Sequence, residues 1–199
     1  IIDANTEILE MMEGENEWTQ SIRNQIRRLT DLTEKMVFLT RMDEGSTKMT
    51  MLDFSLSDAV TETVEPFLAV AETRDCKLTQ EITPNITLRG DENTIRQLVS
   101  LLIDNALKYC SRPGEIRVQL TLTGRGKSLS VWNTVDEIEI GSQDQLFDRF
   151  YRRDSSRNQK TGGHGIGLSV AQAIVVAHKG KISAGSKDGK SIRFTVLFP

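Results

Sequence analysis

Apolar residues recur every three or four positions in the first two segments of the chain, and this period is typical of amphipathic helices. The first stripe covers residues 1–12, and a polar break follows at residues 13–16. The second stripe lies in residues 17–42 and consists of Trp18, Ile22, Ile26, Leu29, Thr33 and Met36. The pattern therefore predicts two helices joined by a short loop, which is a helical hairpin.

The predicted hairpin has more apolar surface than it can bury by itself. A long second helix cannot cover its whole stripe on a short first helix, and hairpins with exposed stripes pair into four-helix bundles. We therefore expect a homodimer through residues 1–45; a helical arm that packs on its own domain is the alternative. The next segment is polar and includes Gly45, which predicts a linker over residues 46–52.

Beyond the linker the chain has the pattern of an α+β domain. Predicted helices run from Ser55 or Ser57 to Thr73, from the capping residue Asp91 through Tyr109, and over residues 165–178. Alternating polar and apolar residues predict strands over residues 77–82, 87–89, 115–123, 128–133, 181–186 and 191–198. Residues 136–160 have no regular pattern. Helices on one face of a mixed, largely antiparallel sheet would make residues 53–199 an α/β sandwich.

Composition excludes several classes of function. The chain has 199 residues, 38% of them hydrophobic and 27% charged, and its net charge of -3 gives no drive toward nucleic acid. Cys76 and Cys110 match neither a disulfide framework nor a metal motif, which favours a reducing compartment. The chain has no apolar run of about 18 residues. Because it opens at Ile1 without Met, we expect a piece of a longer protein, attached to a membrane only through missing upstream segments.

The most informative segment is Gly163-His164-Gly165-Ile166-Gly167-Leu168, which opens an apolar helical run. Glycines let backbone N–H groups approach an anion, and a helix N-terminus adds partial positive charge, so this segment predicts a polyphosphate site. It is neither a P-loop nor a dinucleotide-binding motif, because the lysine of the first and the glycine spacing of the second are missing.

Three ordered motifs carry a resemblance to a known family. They are Asp104-Asn105-Ala106-Leu107-Lys108-Tyr109, Leu146-Phe147-Asp148-Arg149-Phe150-Tyr151 and the glycine segment. They resemble the N box, F box and G2 box of the ATP-binding catalytic domain of bacterial sensor histidine kinases. That domain has the Bergerat fold, which is shared with gyrase, Hsp90 and MutL. Residues 1–45 resemble the end of the family's first dimerisation helix and the whole of its second.

The resemblance implies roles for the N-box side chains. Asn105 would be the Mg²⁺ ligand, since a side-chain carbonyl oxygen suits that ion. Lys108 would place its positive charge against a phosphate. Tyr109 would lie near the nucleotide, or would simply pack in the core. Asp104 would bind a metal-bound water or cap locally.

The lid between the F box and the G2 box is predicted to be cationic. Its positively charged residues are Arg149, Arg152, Arg153, Arg157 and Lys160. Such a cluster would attract ATP and neutralise its γ-phosphate, with Arg152 as the first candidate. The aromatic residues Phe147, Phe150 and Tyr151 would anchor the lid against the sheet. The resemblance also places Phe150, Tyr151 and the six residues from Gly163 to Leu168 at the nucleotide, with His164 acting through its backbone N–H.

One motif departs from the family. Relatives have an Asp-x-Gly-x-Gly sequence, the G1 box, after a strand, and this chain has Asn133-Thr134-Val135-Asp136-Glu137. Asn133 thus stands where an Asp would read adenine. Its side-chain oxygen can accept the same hydrogen bond without charge, so the bond should be weaker. Val135 and Glu137 replace the glycines, which should stiffen the loop.

The resemblance implies an ATP-dependent protein-histidine kinase, the cytoplasmic kinase core of a two-component sensor. It would bind Mg-ATP and transfer the γ-phosphoryl to a His, and then to the Asp of a response-regulator receiver domain. Neither His164 nor His178 is followed by an acidic residue on a dimerisation helix, so the acceptor His is expected upstream of Ile1. This chain alone should then lack autophosphorylation.

Two other functions are compatible with the sequence. A pseudokinase would dimerise and dock partners without turnover, and the altered G1 segment favours it. An ATP-gated domain of the gyrase or Hsp90 type would hydrolyse ATP repeatedly. Leu101 counts against the latter, because those ATPases place a catalytic Glu four residues before the N-box Asn.

Overall fold

The computed structural model describes residues 1–45, 48–151 and 165–199. Its first two elements are the predicted hairpin, α1 (Ile2–Glu13) and α2 (Glu17–Asp43). Asn16 begins α2 as a capping box, because its side chain accepts hydrogen bonds from the Trp18 and Thr19 amides and the Thr19 hydroxyl accepts one from the Asn16 amide. None of the described helices is long and apolar enough to cross a bilayer.

The remaining elements form an α+β domain. They are β1 (Leu52–Ser55), α3 (Leu56–Glu72), β2 (Cys76–Ile82), β3 (Thr87–Gly90), α4 (Glu92–Tyr109), β4 (Gly114–Thr123), β5 (Gly126–Thr134), β6 (Gly141–Ser142), a 3₁₀ turn (Asp144–Phe147), α5 (Gly167–Ala177), β7 (Lys181–Ser186) and β8 (Ser191–Phe198). Ser55, rather than Ser57, caps α3 by accepting a hydrogen bond from the Asp58 amide.

The main sheet has six strands in the order β2-β4-β5-β8-β7-β6. Only the β2–β4 pair is parallel, and the other pairs are antiparallel. Alternate residues of its strands face α3, α4 and α5, which contact one another in a single layer. The opposite face is more polar and carries Arg117, Trp132 and Arg193 side by side in register. The predicted α/β sandwich with a mixed, largely antiparallel sheet is confirmed.

The structure adds elements that the sequence pattern did not predict. Strand β1 pairs with β3 in a separate two-stranded sheet, and β6 and the 3₁₀ turn lie in a segment predicted to be irregular. These pieces have two to four residues, which is too short for periodicity to be visible. Helix α5 begins at Gly167 rather than at Gly165, whose φ of 70° is not helical.

Helix α2 has two different environments. Its C-terminal part packs on the α+β domain, where Leu39 is buried in the core and Leu32, Phe38 and Met42 lie against it. The stripe remains exposed at Trp18 (80%) and Leu29 (58%). The C-terminal part of α2 thus packs on its own domain, while the rest of the helix presents an apolar stripe on the surface of the single chain.

Candidate functional site

The N-box helix α4 is held in place by its cap and its apolar face. The Asp91 side chain accepts a hydrogen bond from the Thr94 amide at 3.0 Å, and most apolar residues of the helix are buried where it packs against α3 and α5. Asn105 and Lys108 are half-buried in its last two turns. The Lys108 Nζ lies 5.1 Å from the centre of the Tyr109 ring, and Tyr109 itself is partly exposed.

Asp104 precedes Asn105 and faces charged groups of other elements. Burial of part of the carboxyl group raises the pKa of Asp104, while the nearby cations Lys35 and Arg74 lower it in part and Asp31 raises it further. Lys35 and Asp31 belong to α2, where they form an ion pair at 2.7 Å. The N box is therefore close to the charged face of α2.

Helix α5 presents an uncapped N-terminus next to α4. Its capping position is Ile166, which offers no side-chain hydrogen bond to the helix amides, and its first turn has no acidic residue. Gly167 lies against the N-box helix, since a Cβ built there would be 3.7 Å from the Leu101 Cδ2. The amide end of α5 thus keeps the donors and partial positive charge that suit an anion.

His178 joins the ends of these two helices. Its Nε2 accepts a hydrogen bond from the Asp91 amide at 3.0 Å, and its Nδ1 donates to the Ile174 carbonyl at 2.8 Å. Gly90 leaves room for the ring, because a Cβ there would be 2.5 Å from the His178 Cδ2. No sequence pattern indicates this link, since 87 residues separate the two partners.

The F box and the G2 box meet through the backbone. The Phe150 amide donates to the Gly165 carbonyl at 3.1 Å. Both residues have positive φ, and Gly165 has no space for a side chain, because a Cβ there would be 2.9 Å from the Tyr151 carbonyl oxygen. Arg149 extends from this junction and forms an ion pair with Asp43, the last residue of α2, at 2.6 Å.

The expected aromatic anchor is only partly present. Phe147 is buried and packs edge-on against Phe194 of β8, with ring centres 6.3 Å apart. Phe150 is 59% exposed, so the prediction that it packs against the sheet is wrong. The Phe150 backbone has a positive φ of 64°, and its amide donates the hydrogen bond to the Gly165 carbonyl. In this conformation the side chain stays on the surface.

Asn133 is the last inward-facing residue of β5 and is fully buried. Its Nδ2 donates to the Thr134 carbonyl at 2.9 Å. Its Oδ1 has no hydrogen-bond partner among the described residues. The same Thr134 carbonyl accepts a hydrogen bond from the Ser111 amide at 3.2 Å, just beyond the end of α4. Asn133 is thus tied to the N-box helix, a link that no sequence pattern indicates.

Some predicted site residues lie outside the described part of the chain. These are Arg152, Arg153, Arg157, Lys160, Gly163 and His164. Of the G2 box, the described residues are Gly165, Ile166, Gly167 and Leu168. Within the described ranges, no group of three His, Cys, Asp or Glu side chains could hold a metal ion.

The chain belongs to the family of histidine kinase-, DNA gyrase B-, and HSP90-like ATPases, whose sequence model matches residues 90–199. Its relatives within that family are sensor kinases. It is 32% identical over 185 residues to the sensor histidine kinase RppB of Synechocystis sp., covering 92% of this chain and 41% of RppB. It is 28% identical over 198 residues to the sensor protein DltS of Streptococcus agalactiae, covering 100% of this chain and 50% of DltS.

Solved structures show the same fold. The histidine kinase AdeS of Acinetobacter baumannii superposes with a TM-score of 0.74 at 23% identity, covering 99% of this chain and 92% of AdeS. Full-length ShkA in complex with AMPPNP gives a TM-score of 0.82 at 18% identity, over 100% of this chain and 42% of ShkA. The resemblance to the ATP-binding catalytic domain of sensor histidine kinases is confirmed. The chain spans about half or less of the length of RppB and DltS.

Proposed function

We propose that this chain is the kinase core of a two-component sensor histidine kinase. In this proposal residues 1–45 are part of the dimerisation and phosphotransfer hairpin, residues 46–52 are the linker, and residues 53–199 bind Mg-ATP. The observation that carries it is the convergence of three groups around α4. These are Asn105 and Lys108 on its last turns, the uncapped α5 N-terminus at its side, and the buried Asn133 near its end. The Asn133 Oδ1 has no partner among the described residues, and its Nδ2 donates to the Thr134 carbonyl, which also accepts from the Ser111 amide just past α4.

The donor set fits an adenine nucleotide with a magnesium ion. Asn133 offers a buried acceptor, which suits the adenine amino group. The amides of Ile166, Gly167 and Leu168 suit phosphate oxygens. Lys108 would neutralise phosphate charge, and the Asn105 carbonyl oxygen would be the protein ligand of Mg²⁺, which keeps several waters. AMPPNP is the ligand in the ShkA structure, which has the same fold.

The proposal also gives roles to the other site residues that the sequence indicated. Tyr109, Phe150 and Tyr151 would border the nucleotide, and the exposure of Tyr109 and Phe150 leaves their rings accessible. Arg152, Gly163 and His164 would complete the phosphate end. When bound, ATP supplies the γ-phosphoryl group, and the chain contributes positioning and charge neutralisation.

The acceptor is proposed to be a His upstream of Ile1, and the second acceptor an Asp of a response-regulator receiver domain. RppB and DltS extend well beyond the region that this chain matches. The exposed apolar stripe of α2 supports a homodimer through the hairpin. We place the domain in the cytoplasm of a membrane-bound sensor.

Calorimetric titration with ADP, with and without Mg²⁺, tests the nucleotide site. We expect micromolar-to-millimolar affinity, and the Asn105→Ala variant should lose about tenfold or more of the Mg²⁺-dependent affinity because it removes the metal ligand. Asn24→Ala, at an exposed position of α2, is the matched control and should bind like the original chain. Equal affinity of the Asn105 variant and the original chain would contradict the assigned role.

A pseudokinase is the second candidate, and the altered segment after Asn133 favours it. The Val135 amide donates a hydrogen bond to the Lys190 carbonyl, and the Val135 side chain packs against the core. Contacts within the protein therefore hold this loop in place. If the original chain binds no adenine nucleotide at millimolar concentration, the pseudokinase replaces the kinase. If it binds, a chain extended by the segment upstream of Ile1, with the proposed acceptor His, should acquire an acid-labile phosphate label from ATP.

A further inference from the structure

The side-chain amide of Asn133 has a fixed orientation. Its Nδ2 lies 2.9 Å from the Thr134 carbonyl oxygen and donates to it. A flipped amide would place Oδ1 against that carbonyl, so two acceptors would face each other. The network therefore directs Nδ2 toward Thr134 and leaves Oδ1 as a buried acceptor without a partner among the described residues.

Thr134 is itself held from two sides. Its carbonyl oxygen also accepts a hydrogen bond from the Ser111 amide at 3.2 Å, and its hydroxyl accepts one from the Glu115 amide at 3.0 Å. Ser111 follows the C-cap of the N-box helix, and Glu115 lies in the neighbouring strand β4. The carbonyl that orients Asn133 is thus anchored to the helix that carries Asn105 and Lys108.

We propose that the Thr134 carbonyl sets the base selectivity of the nucleotide site by holding Asn133 as an acceptor only. This inference rests on the proposed nucleotide site. An amide that was free to rotate could accept from a 6-amino purine or donate to a 6-oxo purine with equal ease. The fixed Asn133 should accept from the 6-amino group and reject a 6-oxo purine, whose oxygen would leave two buried acceptors unpaired.

The same arrangement makes Asn preferable to Asp at this position. An ionised carboxylate has no hydrogen to donate, so in an Asn133→Asp variant one oxygen would face the Thr134 carbonyl. That pair would be repulsive and buried. An Asp at this position should therefore weaken adenine binding in this chain, although its charge would strengthen an isolated hydrogen bond to the amino group.

The test compares ADP with inosine diphosphate (IDP), which has an oxo group at purine position 6, a hydrogen on N1 and no added 2-amino group. Calorimetry on the original chain should show about tenfold or more preference for ADP. Asn133→Asp should bind ADP about tenfold or more weakly than the original chain. Asn85→Asp, the same change at an exposed turn, should leave both affinities unchanged.

The Asn133→Ser variant provides a second test if Asn133→Asp does not fold by circular dichroism. Its hydroxyl can rotate to donate or to accept, so the preference for ADP should fall to about threefold or less. Equal binding of ADP and IDP by the original chain would overturn the inference while leaving the nucleotide site intact. So would ADP binding by Asn133→Asp that matches or exceeds the original. If the original chain binds neither nucleotide, the proposed function fails as well.

Discussion

His178 is a buried histidine with a hydrogen-bond partner at each ring nitrogen. The two partners are the Asp91 amide and the Ile174 carbonyl, and the ring also packs edge-on against Phe198 with ring centres 6.2 Å apart. Because Asp91 caps α4 and Ile174 lies in α5, this one side chain links the two helices of the candidate site.

The His178→Ala variant should be strongly destabilised. Truncation leaves the Asp91 amide without its partner and opens a cavity beside Phe198, and the two effects should lower the free energy of unfolding by about 2–4 kcal/mol. Urea denaturation measures the difference. Val176→Ala, at an exposed position of α5, is the control and should change stability little. A loss below about 1 kcal/mol for His178→Ala would contradict the role assigned to the ring.

Asp104 is expected to make folding dependent on pH. Burial raises the pKa of Asp104 in the folded state, so its ionised form disfavours folding above that pKa and has no effect once the carboxyl is protonated in both states. Asp104→Asn should therefore raise the free energy of unfolding slightly near neutral pH. The gain should shrink as the pH falls toward the ordinary value of 3.8. Denaturation curves of both proteins at several pH values measure it.

The matched control for that experiment is Asp136→Asn. Both side chains are open to solvent, but Asp136 lies in the loop after β5, whereas the Asp104 carboxyl is partly enclosed beside Lys35, Arg74 and Asp31. The same chemical change at Asp136 should give no comparable pH-dependent gain. A stability difference for Asp104→Asn that stays constant from neutral to acidic pH would show that packing, and not ionisation, distinguishes the two side chains.

At the scale of elements, α2 combines a part that packs on the α+β domain with an exposed apolar stripe. Its C-terminal part is joined to the α+β domain by Leu39 in the core and by the Asp43–Arg149 ion pair. Its stripe of Trp18, Ile22, Leu29 and Met36 is exposed in the single chain. An apolar stripe of this extent on a charged helix is typical of a surface that another helix covers.

A charge in the stripe should break the proposed dimer. Leu29→Glu places a carboxylate where the partner hairpin would pack, so the dimer dissociation constant should rise by about tenfold or more. Sedimentation equilibrium of both proteins measures the change. Arg28→Glu alters the charge of the adjacent exposed residue and should leave association nearly unchanged. An original chain that stays monomeric at high concentration would contradict dimerisation through these residues.

At the scale of the whole molecule, one core connects all the layers. The buried cluster extends from Leu39 of α2 through α3, α4 and α5 to the inner face of the sheet. Cys76 and Cys110 are both part of it. Burial raises the pKa of the Cys110 thiol to about 11, with the neighbouring Cys76 contributing in the same direction.

The two thiols should therefore report global unfolding. The thiolate is the reactive form, and at about pH 8 little of Cys110 is ionised in the folded protein. We expect negligible reaction with a thiol reagent in the native state and two equivalents in denaturant. The reaction should appear at the same urea concentration as the loss of helical circular dichroism. Fast labelling of Cys110 in native protein would show that this part of the core opens locally.

The sequence predicted most elements of the fold because their hydrophobic patterns are long. Helix α4 and strands β7 and β8 lie within the predicted boundaries, and α2 extends only one residue further. The short strands β1 and β6 escaped prediction, since two to four residues carry no measurable period. Whether Ser55 or Ser57 caps α3 was also undecided, and it depends on tertiary contacts: Ser57 is used instead to bond the Thr83 carbonyl and the Ile86 amide.

The motifs alone determined the family and the candidate site residues, because the spacings inside each motif are short and restricted by chemistry: Asn105 and Lys108 are one helical turn apart, and the glycines alternate within one segment. Contacts between distant residues were decided only by the tertiary structure. No periodic pattern in the sequence indicates these contacts. They are the His178 ring with the Asp91 amide, Arg149 with Asp43, and the Thr134 carbonyl with Asn133 and Ser111. Hydrogen bonds of this kind depend on how buried elements meet, and packing of the common core fixes that arrangement.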